Sequence, residues 1–193
     1  MTSTNTWRWK NGLATWTYVV PAHASENWRA NLQRSTNVAL DVLEPFARVS
    51  DIEIVTAERG DDAFVFGAGE VARVAEAFRS SETIRRVIVT LDLAVNDGTE
   101  TWLPGAARVF LDSPDQDEDS ATDIELWFSL DVDIYAPVTW GDSRDNAVLA
   151  SINGPRLSGF LQRLRERLGA RLVDIDAADY RPQVNADGFA PAG

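Results

Sequence analysis

Apolar and polar residues alternate without a break over residues 122–135, TDIELWFSLDVDIY. Ile124, Leu126, Phe128, Leu130, Val132 and Ile134 take every second position. Asp123, Glu125, Trp127, Ser129, Asp131, Asp133 and Tyr135 fill the gaps. Successive side chains of a strand point to opposite sides of the pleat, so a period of two marks a strand with one buried face. The pattern predicts a central strand over 122–135. Its aliphatic face belongs to a core, and its acidic, aromatic face meets water or a partner.

The same reading supplies the other elements. Residues 7–20 predict a β-hairpin turning at Asn11-Gly12, since both residue types tolerate positive φ. Residues 25–44 predict a helix capped by Ser25, with Trp28, Leu32, Ser35, Ala39 and Leu43 inward and Pro45 as its stop. A strand at 51–57 carries Ile52 and Ile54 on one side, and a turn follows at 58–62. A short apolar run, 63–66, leads through Gly67–Gly69 into a helix ending near Arg79, with Val71, Val74, Ala75 and Phe78 inward. Residues 84–95 predict a long strand with Val87, Val89, Leu91, Leu93 and Val95 on one face. A turn at 96–98, a strand at 105–112 and an acidic loop at 113–121 complete an antiparallel meander with the central strand. Asn153 reads as the N-cap of a helix over 153–168, with Pro155 in its first turn and Gly169 just past its end. Leu157, Phe160, Leu161, Leu164 and Leu168 form its apolar stripe, and Arg163, Arg165, Glu166 and Arg167 face solvent. A last strand covers 171–175. The expected fold class is α+β: a mixed, largely antiparallel sheet with about three helices packed mainly on one face. One domain spans 1–180, and 181–193 is a flexible tail.

Charge narrows the partners. The chain of 193 residues carries a net charge of −12 and a pI near 4.4. A phosphate backbone needs a basic surface, and so does an anionic membrane, so the charge argues against both and favours a basic partner. The absence of cysteine removes disulfides, thiolate zinc sites and cysteine nucleophiles. Residues 1–6, MTSTNT, lack the basic start and apolar core of a signal peptide. No apolar run approaches the roughly 20 residues that span a bilayer. The expectation is a cytoplasmic protein with no membrane partner.

Three motifs bear on chemistry. Gly67-Ala68-Gly69-Glu70-Val71-Ala72 is similar to the G-x-G-x-x-G/A turn of dinucleotide-binding folds, between an apolar run and a helix. The resemblance implies a cofactor-binding set of Gly67, Gly69, Ala72 and Asp92, with Asp92 in the place of the ribose-binding acid. No second mononucleotide-binding half follows. The segment from Phe128 to Pro137, FSLDVDIYAP, resembles the S-x-D-x-D segment of arginase- and agmatinase-type ureohydrolases, which implies Asp131 and Asp133 as ligands of a hard cation. His23 is the single histidine, so the histidine-bearing metal motif of those enzymes is missing, and a solvent-facing acidic stripe is the plainer reading. Asp115, Asp117, Asp119 and Asp123 alternate like a calcium loop, but Ser120 and Leu126 stand where an EF-hand wants glycine and glutamate.

His23 lies in a loop without a nucleophile motif, and no carboxylate pair is marked for acid–base work. The composition therefore favours a non-enzymatic, acidic protein-binding domain with no cofactor and no metal. One concrete form is an immunity-type protein that neutralises a basic toxin. Its partner-binding residues would be Glu125, Trp127, Asp131, Asp133 and Tyr135, where aromatic area anchors and carboxylates steer. The alternative is a small nucleotide-binding enzyme or regulator using the turn at 67–72. The oligomeric state is not encoded in any of these features.

Overall fold

The structure, a computed structural model, describes residues 8–24, 26–57, 63–80, 84–113, 123–138, 146–180 and 183–190. Its elements in chain order are β1 (Trp9–Val20), α1 (Trp28–Asp41), β2 (Ala47–Thr56), β3 (Ala63–Gly67), α2 (Val71–Ser80), β4 (Ile84–Asn96), β5 (Glu100–Asp112), β6 (Ile124–Val132), α3 (Ala147–Leu168), β7 (Arg171–Asp176), β8 (Val184–Asn185) and β9 (Gly188–Phe189). Seven strands form one sheet in the order β3-β2-β4-β5-β6-β1-β7, and each of its pairings is antiparallel. The fold is α+β, with the expected meander at β4-β5-β6.

The period-two pattern explains where the core sits. One register row runs Phe66–Ile52–Val89–Val109–Phe128–Trp16–Ile175 across all seven strands. Ile52, Val89, Val109, Phe128 and Trp16 of this row are buried. α1 and α3 cover that side. Phe160 of α3 stacks on Phe46 at 4.7 Å and meets Phe128 edge-on at 5.0 Å. Most residues between, on the other side of the sheet, keep part of their surface in water, although Asp92, Ser129 and Asp131 are buried there.

Several expectations are corrected. Residues 9–20 are one strand rather than a hairpin. Gly12 does take φ 61°, but as a bulge in β1, where the pairing with β6 jumps between Trp9 and Ala14. A positive-φ glycine serves a bulge as well as a turn. α1 is capped by Asn27, whose side chain accepts from the Ala30 amide at 2.9 Å; Ser25 lies outside the described residues, as do the turn at 58–62 and Asp115, Asp117 and Asp119. Strand β6 ends at Val132, and Asp133–Tyr135 is a 3₁₀ turn. α3 begins six residues earlier than its expected cap, at Ala147.

Asn153 is accordingly an interior residue of α3, fully buried. Its side chain accepts from the Asn96 amide at 2.8 Å and donates to the carbonyls of Asn96 and Leu149, both at 2.9 Å. It closes the end of β4 on the side where β2 no longer pairs with it. Asn153→Ala should therefore cost about 2 kcal/mol, because two backbone groups lose their partner. Urea unfolding with an unchanged slope would measure it. Pro155 is tolerated within α3 because it is exposed, so the carbonyl it deprives of a hydrogen bond lies on the wet side.

The expected solvent-facing arginines of α3 are also partly redirected. Arg163 donates to the carbonyls of Val42 and Glu44, at 3.2 and 2.9 Å, past the end of α1. Such carbonyls have no partner within their own helix. The expected flexible tail is docked over 183–190. β8 and β9 pair as a small hairpin, the Trp16 indole donates to the Asn185 carbonyl at 2.8 Å, and Phe189 stands edge-on to Trp16 and Tyr180. Gly188 makes this approach: a β-carbon there would come within 3.2 Å of Leu157, and its φ is 111°.

Candidate functional site

The acidic stripe of β6 divides in two. Glu125 is exposed and Trp127 half-buried, with the indole donating to Glu125 Oε1 at 2.7 Å. Asp131 and Asp133 are each only 3% exposed and Tyr135 is fully buried, so these three do not extend an open acidic face. Parity places a residue on a side of the sheet, and the strand's end removes the parity argument for Asp133 and Tyr135. The Asp133 carboxylate accepts from the Arg8 amide at 2.7 Å. The Tyr135 ring lies 6.0 Å from Phe46.

Burial pushes the Tyr135 hydroxyl well above its usual range against the opposing pull of Arg156. Burial does the same for Tyr18, with Arg165 lowering and Asp187 raising it. A phenol whose folded pKa is raised stabilises the fold fully below its unfolded value of about 10, and this stabilisation is lost as pH rises through the folded pKa. Stability should thus fall as pH rises past about 10. Tyrosinate absorbance from these two rings should appear only with unfolding, and early titration of all the tyrosines in the folded state would contradict it.

Asp131 has a structural task, and Asp92 repeats it. Asp131 accepts from the Gly12 amide at 2.6 Å and from Arg108 Nη2 at 3.0 Å. Asp92 accepts from the Gly105 amide and from Arg48 Nε, both at 3.0 Å. Each glycine has φ 61°, and each sits where the pairing register breaks, in β1 against β6 and in β5 against β4. A bulge leaves an amide outside the ladder, and a carboxylate on the neighbouring strand collects it while an arginine balances the charge. Both carboxylates are thus committed within the sheet, Asp131 and Asp133 on separate backbone amides rather than turned to one ion.

The turn at 67–72 is likewise self-contained. Gly67 ends an edge strand paired antiparallel to β2, not a strand in a parallel unit. Its amide donates to Glu70 Oε2 at 3.1 Å, and Glu70 also pairs with Arg73. The Gly67 amide, followed by Arg73, holds the Glu70 carboxyl below the usual carboxylate range. A β-carbon on Gly69 would meet nothing within 4 Å, so no close backbone approach demands glycine there. Ala72 is exposed, and Asp92 is bound into the bulge of β5.

Trp127 instead belongs to a surface that runs across the strands. Its register row is Val65–Glu53–Ile88–Phe110–Trp127–Thr17–Asp174. No helix among the described residues covers this side. Phe110 and Trp127 lie 6.1 Å apart. The Arg86 guanidinium sits 5.4 Å from the Trp127 ring and that of Arg108 5.7 Å from the Phe110 ring. Arg86 is held by both oxygens of Asp112 at 2.6 Å, and Asp112, then the charge it brings, raises the Arg86 pKa despite partial burial. The sequence reading missed Ile88, Phe110 and Arg86. Their alternation in β4 and β5 was visible, but the register that brings them to Trp127 was not.

A cleft of about 690 Å³ lies between α3 and the β8–β9 hairpin, lined by Pro137, Ala150, Gly154, Ser158 and Asp187 among others. Asp187 is bound to Arg165 there. Among the described residues no group of three or more His, Cys, Asp or Glu is arranged to hold a metal. His23 is exposed, in the loop before α1. No helix among the described residues is long and apolar enough to cross a membrane. No protein-family model matches the chain, and neither the curated proteins nor the solved structures provide a significant match.

Proposed function

We propose that the chain is a non-enzymatic, acidic protein-binding domain, of the immunity type, that neutralises a basic toxin in the cytoplasm by covering it. The observation that carries this reading is a side of the seven-stranded sheet that no helix among the described residues covers, with Trp127 and Phe110 near its centre. A flat face with aromatic anchors and surrounding carboxylates is the kind of surface on which a basic protein can dock. The net charge of −12 adds long-range attraction for such a partner. Glu125 and Trp127 remain the accessible members of the expected partner-binding set, while Asp131, Asp133 and Tyr135 are buried.

The test is affinity capture from a lysate of the source cell at low and then moderate salt, with captured proteins identified by mass spectrometry. A protein of high pI should be retained by the native chain. The double variant Glu125→Lys/Trp127→Ala should lose at least tenfold in affinity, about 1.4 kcal/mol, and the native complex should weaken as salt rises. Retention of no basic protein at either salt level would remove the reading.

A further inference from the structure

The charge on the face that no described helix covers is not uniform. Three complete register rows cross it. The row on one side of Trp127 is Gly67–Asp51–Thr90–Arg108–Ser129–Thr15–Asp176, and the row on the other is Ala63–Val55–Arg86–Asp112–Glu125–Val19–Arg171. Three arginines of this face already have a carboxylate: Arg86 of β4 has Asp112, Arg108 of β5 has Asp131, and Arg48 of β2 has Asp92. Arg86 and Arg108 therefore add no free positive charge to the centre, and the exposed Glu125 beside Trp127 leaves it mildly acidic. The centre exposes the edges of Ile88, Phe110 and Trp127, with guanidinium planes laid over the two aromatic rings.

The two ends differ. On β2, Asp51 and Glu53 point to this face, and on β7 so do Asp174 and Asp176. None of the four has an ion-pair partner among the described residues. Arg171 stands at one corner, outnumbered by the two aspartates of its own strand. Between β2 and β7 lie five interstrand spacings of about 4.8 Å each, or about 24 Å in all.

We infer that this face docks a basic protein that carries two cationic clusters about 24 Å apart, on either side of an apolar centre that settles on Ile88, Phe110 and Trp127. The inference rests on the protein-binding reading and names the surface and the partner's shape. Charge decides against a second copy as the occupant. Two identical faces of this kind would set like charges against each other, which costs affinity. Neutralised arginines at the centre remove the opposite objection, that a basic partner would meet free positive charge.

The experiment titrates the partner captured above against four single variants of the full chain and the Glu53→Arg/Asp174→Arg double variant, each checked by circular dichroism. Glu53→Arg and Asp174→Arg reverse one end each. Phe110→Ser removes the centre. Glu166→Arg, on the exposed side of α3, changes the net charge equally and leaves the sheet alone. Each end variant should lose about tenfold in affinity and the double variant about a hundredfold, because sites so far apart act additively. Phe110→Ser should raise the dissociation rate, while Glu166→Arg stays near the native value. If a basic partner binds but Glu166→Arg weakens it as much as the end variants do, the docking surface is overturned and the protein-binding reading stands. If no basic partner binds the native chain, the reading falls and takes the surface with it. If light scattering finds a native dimer that Phe110→Ser converts to monomer, the occupant is a second copy and the inference is wrong.

Discussion

Asp131→Ala should lower the free energy of unfolding by about 3 kcal/mol. The carboxylate is 3% exposed and collects the bulge amide of Gly12 and the guanidinium of Arg108. Its removal leaves the amide without its acceptor and the arginine without its counter-charge. Arg108 is partly in water, which softens the second loss, so the Gly12 amide carries most of the effect. Asp131→Asn keeps an acceptor of the right size and loses the charge, and should cost about half as much. Chemical denaturation of the two variants separates the contributions. Equal stability of Asp131→Ala and the native protein would return Asp131 to the set of candidate binding residues, since it would then have no structural task.

Phe160→Ala should cost about 4 kcal/mol, the middle of the range for removing a buried aromatic side chain. Phe160 stacks on Phe46 and meets Phe128 edge-on, so a single ring joins α3 to the segment after α1 and to the middle of the sheet. Backbone elements on three sides restrict collapse into the space left behind, and an uncollapsed cavity is the costly case. The variant's unfolding midpoint in urea should fall sharply with little change in slope. A loss under about 1 kcal/mol would mean that the surrounding rings close the gap. Phe160→Leu, which retains most of the volume, should lie between the two.

The sequence and the structure agree where local periodicity settles the matter. Alternation over Ile124 to Val132 marks an interior strand, next to the central β5, and Gly169 ends α3 as expected. They part where one residue type serves two geometries. Gly12 takes positive φ in a bulge instead of a turn. Asn153 bonds backbone groups of β4 instead of capping a helix, since its amide suits either task. Asp131 and Asp92 have the side chains of ligands and the surroundings of clasps, and only the cross-strand pairing tells the two apart. The candidate face was legible along β6, where Glu125 and Trp127 lie, but its width was not. Phe110 and Ile88 reach Trp127 through register, which is fixed by long-range pairing and leaves no signature in a single strand.

The position of β1 bears on how the chain acquires this structure during synthesis. β1 lies between β6 and β7, and its clasp joins residues 119 positions apart in sequence. A ribosome delivers β1 before every other strand of the seven-stranded sheet and its two neighbours after the rest. Until then the strand waits with both hydrogen-bonding edges unclaimed, exposed to any other extended chain nearby. Closing so long a loop is entropically costly and slow. The late step in folding should be insertion of β1 between β6 and β7, and shortening the chain from its C-terminal end to before β7 should leave it prone to aggregation rather than merely less stable.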